Sequence, residues 1–437
     1  MKNKFLRGVI GWGVSIALIL LIGASTVVAQ QKVTLRVAHA WPAERLPAQV
    51  EFDKWFMKKY PNIIVKRENY PWADYKQKIM TMAASGTLPD VFYMQDSWSQ
   101  FWIFYGMTRS IEPFIKNDPE FKRELFYSGS LAPFIWKGEL HGLPYDWNTV
   151  GTLAYNVDMF DKAGLPYPDE NWTFKGEFLE TAKKLTKDTN GDGKIDQWGY
   201  VDNNWWGYSS AHAHLLPFGG TFVEVYPDKS PAPKETLITK PESIEALQWW
   251  ADLILKYKVS PTLAQQEAMV NPWYSGKIGM TVGYSWCYEW TKYTPFKWDI
   301  AHQPKGPNGR FVEACGSGYA ISKTTKHIKE AWTYFREYLS LEGVKKLLLT
   351  FGVPARKAGW KAFAERPDLP KHYASVFHKS YEYSIVSPTR VPPKAWQILS
   401  DEAQLVLLGK KTAAEAAKTI KEKVDPILAE NPLLKAQ

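Results

Sequence analysis

The chain has 437 residues, a formal net charge of +9 and an aromatic content of 15%, with 21 tryptophans. Its basic residues are scattered with no long Lys/Arg run, which argues against a nucleic-acid-binding protein, because such proteins concentrate positive charge in a patch. Two domains are expected, since a chain of this length exceeds what one hydrophobic core usually supports.

The first 29 residues have the composition of a secretory signal peptide. Lys2, Lys4 and Arg7 precede an apolar run, GVIGWGVSIALILLIGA. Val27 and Ala29 then supply the small residues of a cleavage site. We expect cleavage after Ala29; the alternative is an uncleaved membrane anchor, for which the run is slightly short. Because no cysteine follows the run, there is no lipobox, and the mature chain is expected to be soluble and exported, either periplasmic or extracellular.

The next part of the chain alternates strand and helix patterns. Residues 32–41 alternate apolar and polar side chains, with Val33, Leu35 and Val37 on one face, as expected of a strand. Four further segments continue the alternation: a helix at 46–61, a strand at 62–70, a helix at 75–86 and a short buried strand at 89–95. This order predicts a parallel α/β sheet with right-handed crossovers.

A second α/β region starts with a strand pattern at 151–160. Helical periodicity then recurs at 175–188, 241–258, 327–351 and 394–428. Within the second of these helices one face is apolar, so Trp249 and Trp250 are interpreted as packing residues.

The segment DTNGDGKIDQWG, residues 188–199, has the spacing of a calcium loop. Ca²⁺ binds six to eight oxygens, supplied here at alternate positions of a tightly turned loop. The candidate ligands are Asp188, Asn190, Asp192, the Lys194 carbonyl and Asp196. The twelfth position is Gly199 rather than the glutamate of an EF-hand, and a strand pattern follows. We expect a structural calcium that braces a helix–strand junction; the alternative is a metal-free polar turn.

The chain has two cysteines, Cys287 and Cys315. Export would allow a disulfide between them, and two buried thiols are the alternative, because pairing cannot be read from sequence.

Five ordered segments, at 84–92, 142–186, 274–286, 303–340 and 352–358, together resemble the family 1 extracellular solute-binding proteins of ABC importers. This is the sugar-binding group that includes maltose-binding protein. The resemblance covers essentially the whole mature chain, with Cys315–Gly316 standing where the family often has Gly-Gly. It implies a two-lobed Venus-flytrap fold with two α/β lobes and a multi-strand hinge.

The resemblance also implies where the chain divides. Crossings between the lobes are expected near 143–147, 302–304 and 352–355. Lobe 1 would then comprise 30–145 with 305–352, and lobe 2 would comprise 146–304 with 353–437. Ligand would bind in the cleft, at strand ends and at the hinge, and the lobes would close around it.

A sugar ring offers an apolar face for aromatic stacking and a rim of hydroxyls for polar side chains. The sequence places such residues together after predicted strands and at crossings. After the first and third strands these are Trp41, Glu44, Arg45, Gln95, Asp96 and Trp98. At the first crossing and in the second lobe they are Tyr145, Asp146, Trp147, Asn203, Trp205, Trp206, Trp286, Glu289, Arg356 and Trp396. Gly316 and Gly318 would let backbone approach the ligand. The family pattern favours Trp286 most, and the number of candidate platforms favours an oligosaccharide.

The expected function is capture of a sugar and its delivery to a membrane permease, by a monomer without catalytic activity or organic cofactor. One alternative is a binding protein for a peptide or a polyamine. Another is a secreted glycoside hydrolase, which needs two carboxylates across one bond; Asp146 and Glu289 are the available pair. The sequence contains no Walker loop, dinucleotide fingerprint, Ser/His/Asp order or zinc spacing.

Overall fold

The computed structural model describes residues 32–40, 45–202, 206–347 and 352–436. The expected signal peptide lies outside these ranges. Eleven strands are present in the described chain: β1 Val33–His39, β2 Ile63–Asn69, β3 Val91–Gln95, β4 Ile135–Trp136, β5 Glu139–Leu140, β6 Leu143–Asn156, β7 Trp198–Val201, β8 Ile278–Tyr284, β9 Trp298–Ala301, β10 Val312–Ile321 and β11 Ser384–Val386.

The α-helices pack around these strands. In the first part of the chain they are α1 Leu46–Lys59, α2 Trp72–Ala84, α3 Asp96–Phe104, α4 Glu112–Ile115, α5 Ser128–Leu131, α6 Val157–Ala163, α7 Leu179–Leu185, α8 Ala211–Leu215 and α9 Pro241–Leu255. In the remainder they are α10 Leu263–Ala268, α11 Ile328–Leu339, α12 Leu341–Leu347, α13 Trp360–Ala364, α14 Tyr373–Ser380, α15 Pro393–Leu407, α16 Ala413–Ala429 and α17 Pro432–Lys435.

The main sheet has the strand order β2-β1-β3-β10-β6-β8-β7, with β11 paired to β10 and β9 paired to β6. β1 runs parallel to both β2 and β3, which confirms the parallel sheet predicted from the strand–helix alternation. Leu35, Val37 and also Ala38 and His39 of β1 are buried, and successive side chains of a strand point to opposite faces of the sheet. The strand is therefore covered on both faces at its carboxyl end.

Two long strands carry the chain between the lobes. β6 pairs with β10 over its first half and with β8 and β9 over its second half. All fourteen residues of β6 are buried. A third segment joins them, since the Trp147 N–H donates to the Val353 carbonyl at 2.8 Å and the Ala355 N–H donates to the Tyr145 carbonyl at 3.2 Å. These three segments form the hinge of a two-lobed α/β fold.

Separate hydrophobic cores lie on the two sides of this hinge. The first draws on chain up to Trp147 and again from Ala314, and it packs α1, α2, α3 and α11 on the sheet. The second and third cores begin at Leu153 and Ala154 and include the carboxyl-terminal helices. The division into lobes at the predicted boundaries stays a prediction.

One helix prediction agrees with the structure and another differs from it. Trp249 and Trp250 are 6% and 5% exposed in the second core, as their packing interpretation requires. The pattern at 327–351, in contrast, is divided into α11 and α12 within its described part. Ser340 has an extended backbone, and its hydroxyl accepts the Gly343 N–H at 3.0 Å, which starts a new helix. No helix of the described residues is long and apolar enough to span a bilayer.

Candidate ligand-binding cleft

A cavity of about 460 Å³ lies between the lobes, where β3 ends and where β6 and β10 cross the hinge. Its aromatic lining consists of Trp72, Tyr93, Tyr208 and Trp286. Its polar lining consists of Arg45, Gln95, Asp146, Asn148, Ser209 and Ser317. Apolar walls with a few convergent polar groups are typical of a small-molecule site, and the volume is within the roughly 300–1,000 Å³ of such sites.

Two buried carboxylates hold the backbone of β10 at the cavity wall. Asp96, the first residue of α3, accepts the Gly316 N–H at 2.6 Å and the Ser97 N–H at 2.8 Å. Asp146 on β6 accepts the Ser317 N–H at 2.6 Å and the Ser317 hydroxyl at 2.8 Å. A β-carbon on Gly316 would lie 2.5 Å from the Asp146 carbonyl oxygen, so only glycine fits between these strands.

Burial dominates the electrostatics of both carboxylates. It raises the pKa of Asp96 to about 7, although the hydrogen bonds from Gly316 and Ser97 favour the ionised form. It raises the pKa of Asp146 to about 6, against the hydrogen bonds from Ser317. Both groups therefore change charge close to neutral pH, beside the candidate ligand site.

Aromatic rings from both lobes face the cavity. Trp72, at the start of α2 in the first lobe, is 49% exposed. Trp286 follows β8 in the second lobe, and its ring centroid lies 4.5 Å from that of Tyr284. These rings provide flat apolar surfaces beside carboxylate, amide and guanidinium groups.

One ion pair joins the lobes at the edge of the cavity. Arg45 precedes α1 in the first lobe, and its guanidinium donates to Glu289 of the second lobe at 3.1 Å. The side chains are 14% and 30% exposed, so the pair is only partly screened by water. It stabilises the arrangement in which the lobes approach each other.

The second lobe contributes a strained turn to the same cavity. Ser209 has a φ of 70°, a conformation that non-glycine residues rarely adopt. The neighbouring Tyr208 packs against Trp396 with 5.9 Å between ring centroids. Burial and the nearby Asp96 carboxylate raise the pKa of the Tyr208 hydroxyl well above its usual range. Such strain is commonly found at functional sites.

Of the residues predicted from sequence, the structure brings Arg45, Gln95, Asp146, Trp286 and Gly316 together around the cavity. Glu289 lies at its edge, paired with Arg45, and Asp96 lies behind the wall. The structure does not describe four of the predicted residues: Trp41, Glu44, Asn203 and Trp205.

The remaining predicted residues do not line the cavity. Tyr145 and Trp147 flank Asp146 on β6, and since side chains alternate along a strand, both point into the first core. Trp206 and Trp396 pack in the second core, while Trp98 packs in the first core against Trp72 and Trp102.

Gly318 and Arg356 serve the framework of the hinge. A β-carbon on Gly318 would lie 2.3 Å from the Leu143 carbonyl oxygen, so this glycine permits close strand packing and does not contact the cavity. Arg356 is 8% exposed and donates to the Glu120 carbonyl at 2.9 Å, away from the cleft.

Several lining residues were missed by the sequence reasoning. Trp72 is the first residue of α2, and Tyr93 lies on β3. Asn148 and Ser317 lie on the hinge strands β6 and β10. The rule that ligands bind near the carboxyl ends of parallel strands could have indicated Trp72, which follows β2. Tyr93 is embedded in a buried strand, and no sequence signal distinguishes it from a core residue.

The acidic loop at 188–196 forms a network of its own hydrogen bonds. Asp188 accepts the N–H groups of Gly191 and Gly193, each at 2.7 Å, and Asp196 accepts the Thr189 N–H at 2.8 Å. Asn190 and Asp192 also accept loop N–H groups, from Asp192 and Lys194. Within the described chain, no group of three or more His, Cys, Asp or Glu side chains is arranged to hold a metal ion.

The two cysteines are free and buried, so the possible disulfide is not formed. Cys287 begins a 3-10 helical turn and lies with its sulfur 3.9 Å from the Tyr373 hydroxyl in the third core. Cys315 lies on β10, opposite Asn148 of β6, and lines the cleft cavity. The two thiols therefore have different surroundings, and burial raises the pKa of Cys287 to about 12.

Comparison with known proteins identifies the fold and the family. A protein of Brucella abortus (strain 2308) named as a binding protein is 26% identical over 301 residues, which are 67% of this chain and 68% of that protein. An ABC substrate-binding protein from Listeria monocytogenes, solved in complex with cycloalternan, superposes with a TM-score of 0.76 at 23% identity, covering 91% of this chain and 99% of that one. The maltose/maltodextrin-binding domain from Bdellovibrio bacteriovorus, bound to maltotriose, gives 0.71 at 18% identity, covering 91% and 100%.

The sequence pattern of the bacterial extracellular solute-binding proteins matches residues 41–345, well over half of the chain. The two-lobed α/β fold, the interlobe cavity and this match agree. The chain belongs to the bacterial extracellular solute-binding protein family.

Proposed function

We propose that this protein is the exported binding component of an ABC importer and that its ligand is a sugar, most suitably an oligosaccharide. The observation that carries the proposal is the interlobe cavity, which sets Trp72, Trp286 and Tyr208 beside Asp146, Gln95 and Arg45. Aromatic faces stack on the apolar side of a sugar ring, and the polar groups accept or donate to its hydroxyls. Relatives of this fold that hold cycloalternan and maltotriose support a carbohydrate.

Ligand capture would work by shifting an open–closed equilibrium. A ligand that contacts both lobes binds the closed form better and therefore increases its population. The Arg45–Glu289 pair would favour the same form. A membrane permease, powered by a cytoplasmic ATPase, would then recognise the closed surface, and export would follow from the predicted signal peptide.

The cleft is proposed to perform no chemistry. A glycoside hydrolase would need Asp146 and Glu289 as its acid and base. In this protein Asp146 already accepts two hydrogen bonds from Ser317, and Glu289 is paired with Arg45. A peptide or polyamine remains the alternative ligand, although a polyamine site would require several ionised carboxylates around an aromatic box.

We also propose that the loop at 188–196 binds a structural Ca²⁺. The side-chain oxygens of Asp188, Asn190, Asp192 and Asp196 and the Lys194 carbonyl would supply oxygen ligands. The loop is exposed, and Gly191 and Gly193 have positive φ values that give the required tight turn. Calorimetric melting in calcium and in a chelator tests this, and equal melting temperatures would refute it.

The ligand proposal is tested by thermal shift against a panel of mono- and oligosaccharides, followed by titration calorimetry. The Trp286→Ala variant should bind the best sugar about tenfold more weakly, which corresponds to about 1.4 kcal/mol. Trp55→Ala is the control and should leave affinity unchanged, because Trp55 on α1 packs against the first core and does not line the cavity. Affinity of Trp286→Ala within twofold of the wild type, or release of hydrolysis products, would contradict the proposal.

A further inference from the structure

A second cavity lies between the lobes and shares no lining residue with the cleft cavity. Its volume is about 430 Å³. The first lobe contributes the hairpin of β4 and β5, with Trp136 and Lys137, and the second lobe contributes Lys229, Ser230 and Arg390. None of the sequence motifs and none of the cleft residues described above accounts for this cavity.

Positive charge predominates around the second cavity. Lys137, Lys229 and Arg390 line it, and Asp228 is the one carboxylate among its described lining residues. In the part of the chain that the structure describes, none of these three cations makes an ion pair. The cavity therefore carries an excess of two positive charges that no protein group in contact with them neutralises.

Arg390 is the most strongly desolvated of these cations. Its guanidinium is half-buried and lies 5.3 Å from the centroid of the Trp136 ring. It donates from Nε to the Gln100 side-chain oxygen at 3.0 Å, which leaves both Nη atoms available. Burial lowers the pKa of Arg390, and no neighbouring carboxylate offsets this effect. A guanidinium in this state is suited to bind two oxygens of one anion.

Ser230 supplies a hydroxyl donor on the same wall. Its Oγ accepts the Thr389 N–H at 2.7 Å and the Thr389 hydroxyl at 3.2 Å. A serine hydroxyl can accept two hydrogen bonds and donate one. Both acceptor positions are used, and no group of the described chain accepts the Ser230 O–H. This hydroxyl therefore has only a donor to offer, which suits an anion and not a cation.

Contacts outside the second cavity hold both of its walls. The Asn431 side chain donates to the Arg390 carbonyl at 2.7 Å, which fixes the backbone of the second-lobe wall. On the first-lobe wall, Lys137 and Gly138 form the turn between the paired strands β4 and β5, with φ values of 49° and 84°. Arg123 donates to the Gly138 carbonyl at 2.9 Å and holds this turn. The backbone around the cavity is therefore preformed.

We propose that the second cavity binds a small divalent oxyanion, such as phosphate, which joins the two lobes. This inference goes beyond the proposed function and does not depend on the ligand of the cleft. The Arg390 guanidinium binds two oxygens of the anion, and the Ser230 hydroxyl donates to one. Lys137 of the first lobe and Lys229 of the second balance its charge. Because the anion contacts both lobes, it stabilises their present arrangement.

The test is titration calorimetry with inorganic phosphate and with sulfate at constant ionic strength and about pH 8, where phosphate is divalent. Both should bind at one site, about tenfold or more tightly than the monovalent acetate and chloride. Lys137→Ala and Lys229→Ala should each weaken phosphate binding about three- to fivefold, as expected for one exposed charge pair. Lys116→Ala and Lys410→Ala are the matched controls, because both lysines are exposed and neither lines the second cavity.

Several results would overturn the proposal. Wild-type protein that binds neither phosphate nor sulfate, or binds them no better than acetate, has no such site. Equal losses in the control variants would indicate a general charge effect. If Lys229→Ala weakens binding and Lys137→Ala does not, the anion does not join the lobes. Arg390→Gln, with its folding verified by circular dichroism, should weaken binding more than either lysine variant because it removes the bidentate donor; unchanged binding would also overturn the proposal.

Discussion

The buried Asp96 carboxylate makes a quantitative prediction about stability and pH. Its pKa rises from 3.8 to about 7 on folding because burial penalises the charged form. At 1.36 kcal/mol per pKa unit, this corresponds to about 4 kcal/mol. A raised acid pKa means that the folded state retains the proton longer than the unfolded state. The contribution of Asp96 to the free energy of unfolding is therefore fully present below about pH 4 and is lost as the pH rises to about 7.

The Asp96→Asn variant isolates this effect. Its amide does not titrate, but only one oxygen remains to accept, so either the Gly316 N–H or the Ser97 N–H loses its partner. That loss costs about 1–3 kcal/mol at every pH. Wild type loses stability between pH 5 and pH 8 and the variant does not, so the difference between them should shift in favour of the variant by about 2–3 kcal/mol over this range.

Urea unfolding at half-unit pH intervals from 5 to 8 measures the difference. The exposed Asp74, near the start of α2, supplies the control Asp74→Asn, which should run parallel to wild type over this range. If the stability difference between Asp96→Asn and wild type were constant from pH 5 to 8, the reasoning from burial would be refuted.

Three further predictions follow from other contacts. Asp53 binds Arg67 through two 2.6 Å hydrogen bonds in a buried pair, so Asp53→Ala should destabilise the protein by about 3–5 kcal/mol in urea unfolding; a loss under 1 kcal/mol would contradict this. Arg45→Ala removes the partly exposed pair with Glu289, which is worth about 0.2–1 kcal/mol, and should weaken ligand binding up to about fivefold. The same variant should enlarge the ligand-free particle in small-angle scattering, and unchanged scattering would refute a role of this pair in closure. Cys287, which is buried in the third core, should react with a thiol reagent only after denaturation, and both cysteines should then react without prior reduction; a requirement for reductant would reveal a disulfide.

Sequence patterns were sufficient where local periodicity and tertiary burial agree. The alternation over 32–95 predicts β1, α1, β2, α2 and β3, and the apolar face at 241–258 correctly assigns Trp249 and Trp250 to the core. Strand ends also indicated Gln95, Asp146 and Trp286 as site residues, because a ligand cleft forms where strands end and side chains of different elements converge.

Tertiary structure alone decided which aromatic and acidic residues face the ligand cavity. Tyr145 and Trp147 are sequence neighbours of Asp146, yet strand alternation directs them into the core while Asp146 contacts the cavity. Trp72 and Tyr208 join the site only because the lobes bring distant segments together. The sequence by itself determined the class of fold, the family resemblance and the aromatic chemistry, since these depend on local pattern and composition. The pairing of Asp96 with Gly316 and the interlobe Arg45–Glu289 contact depend on long-range packing, which no local pattern encodes.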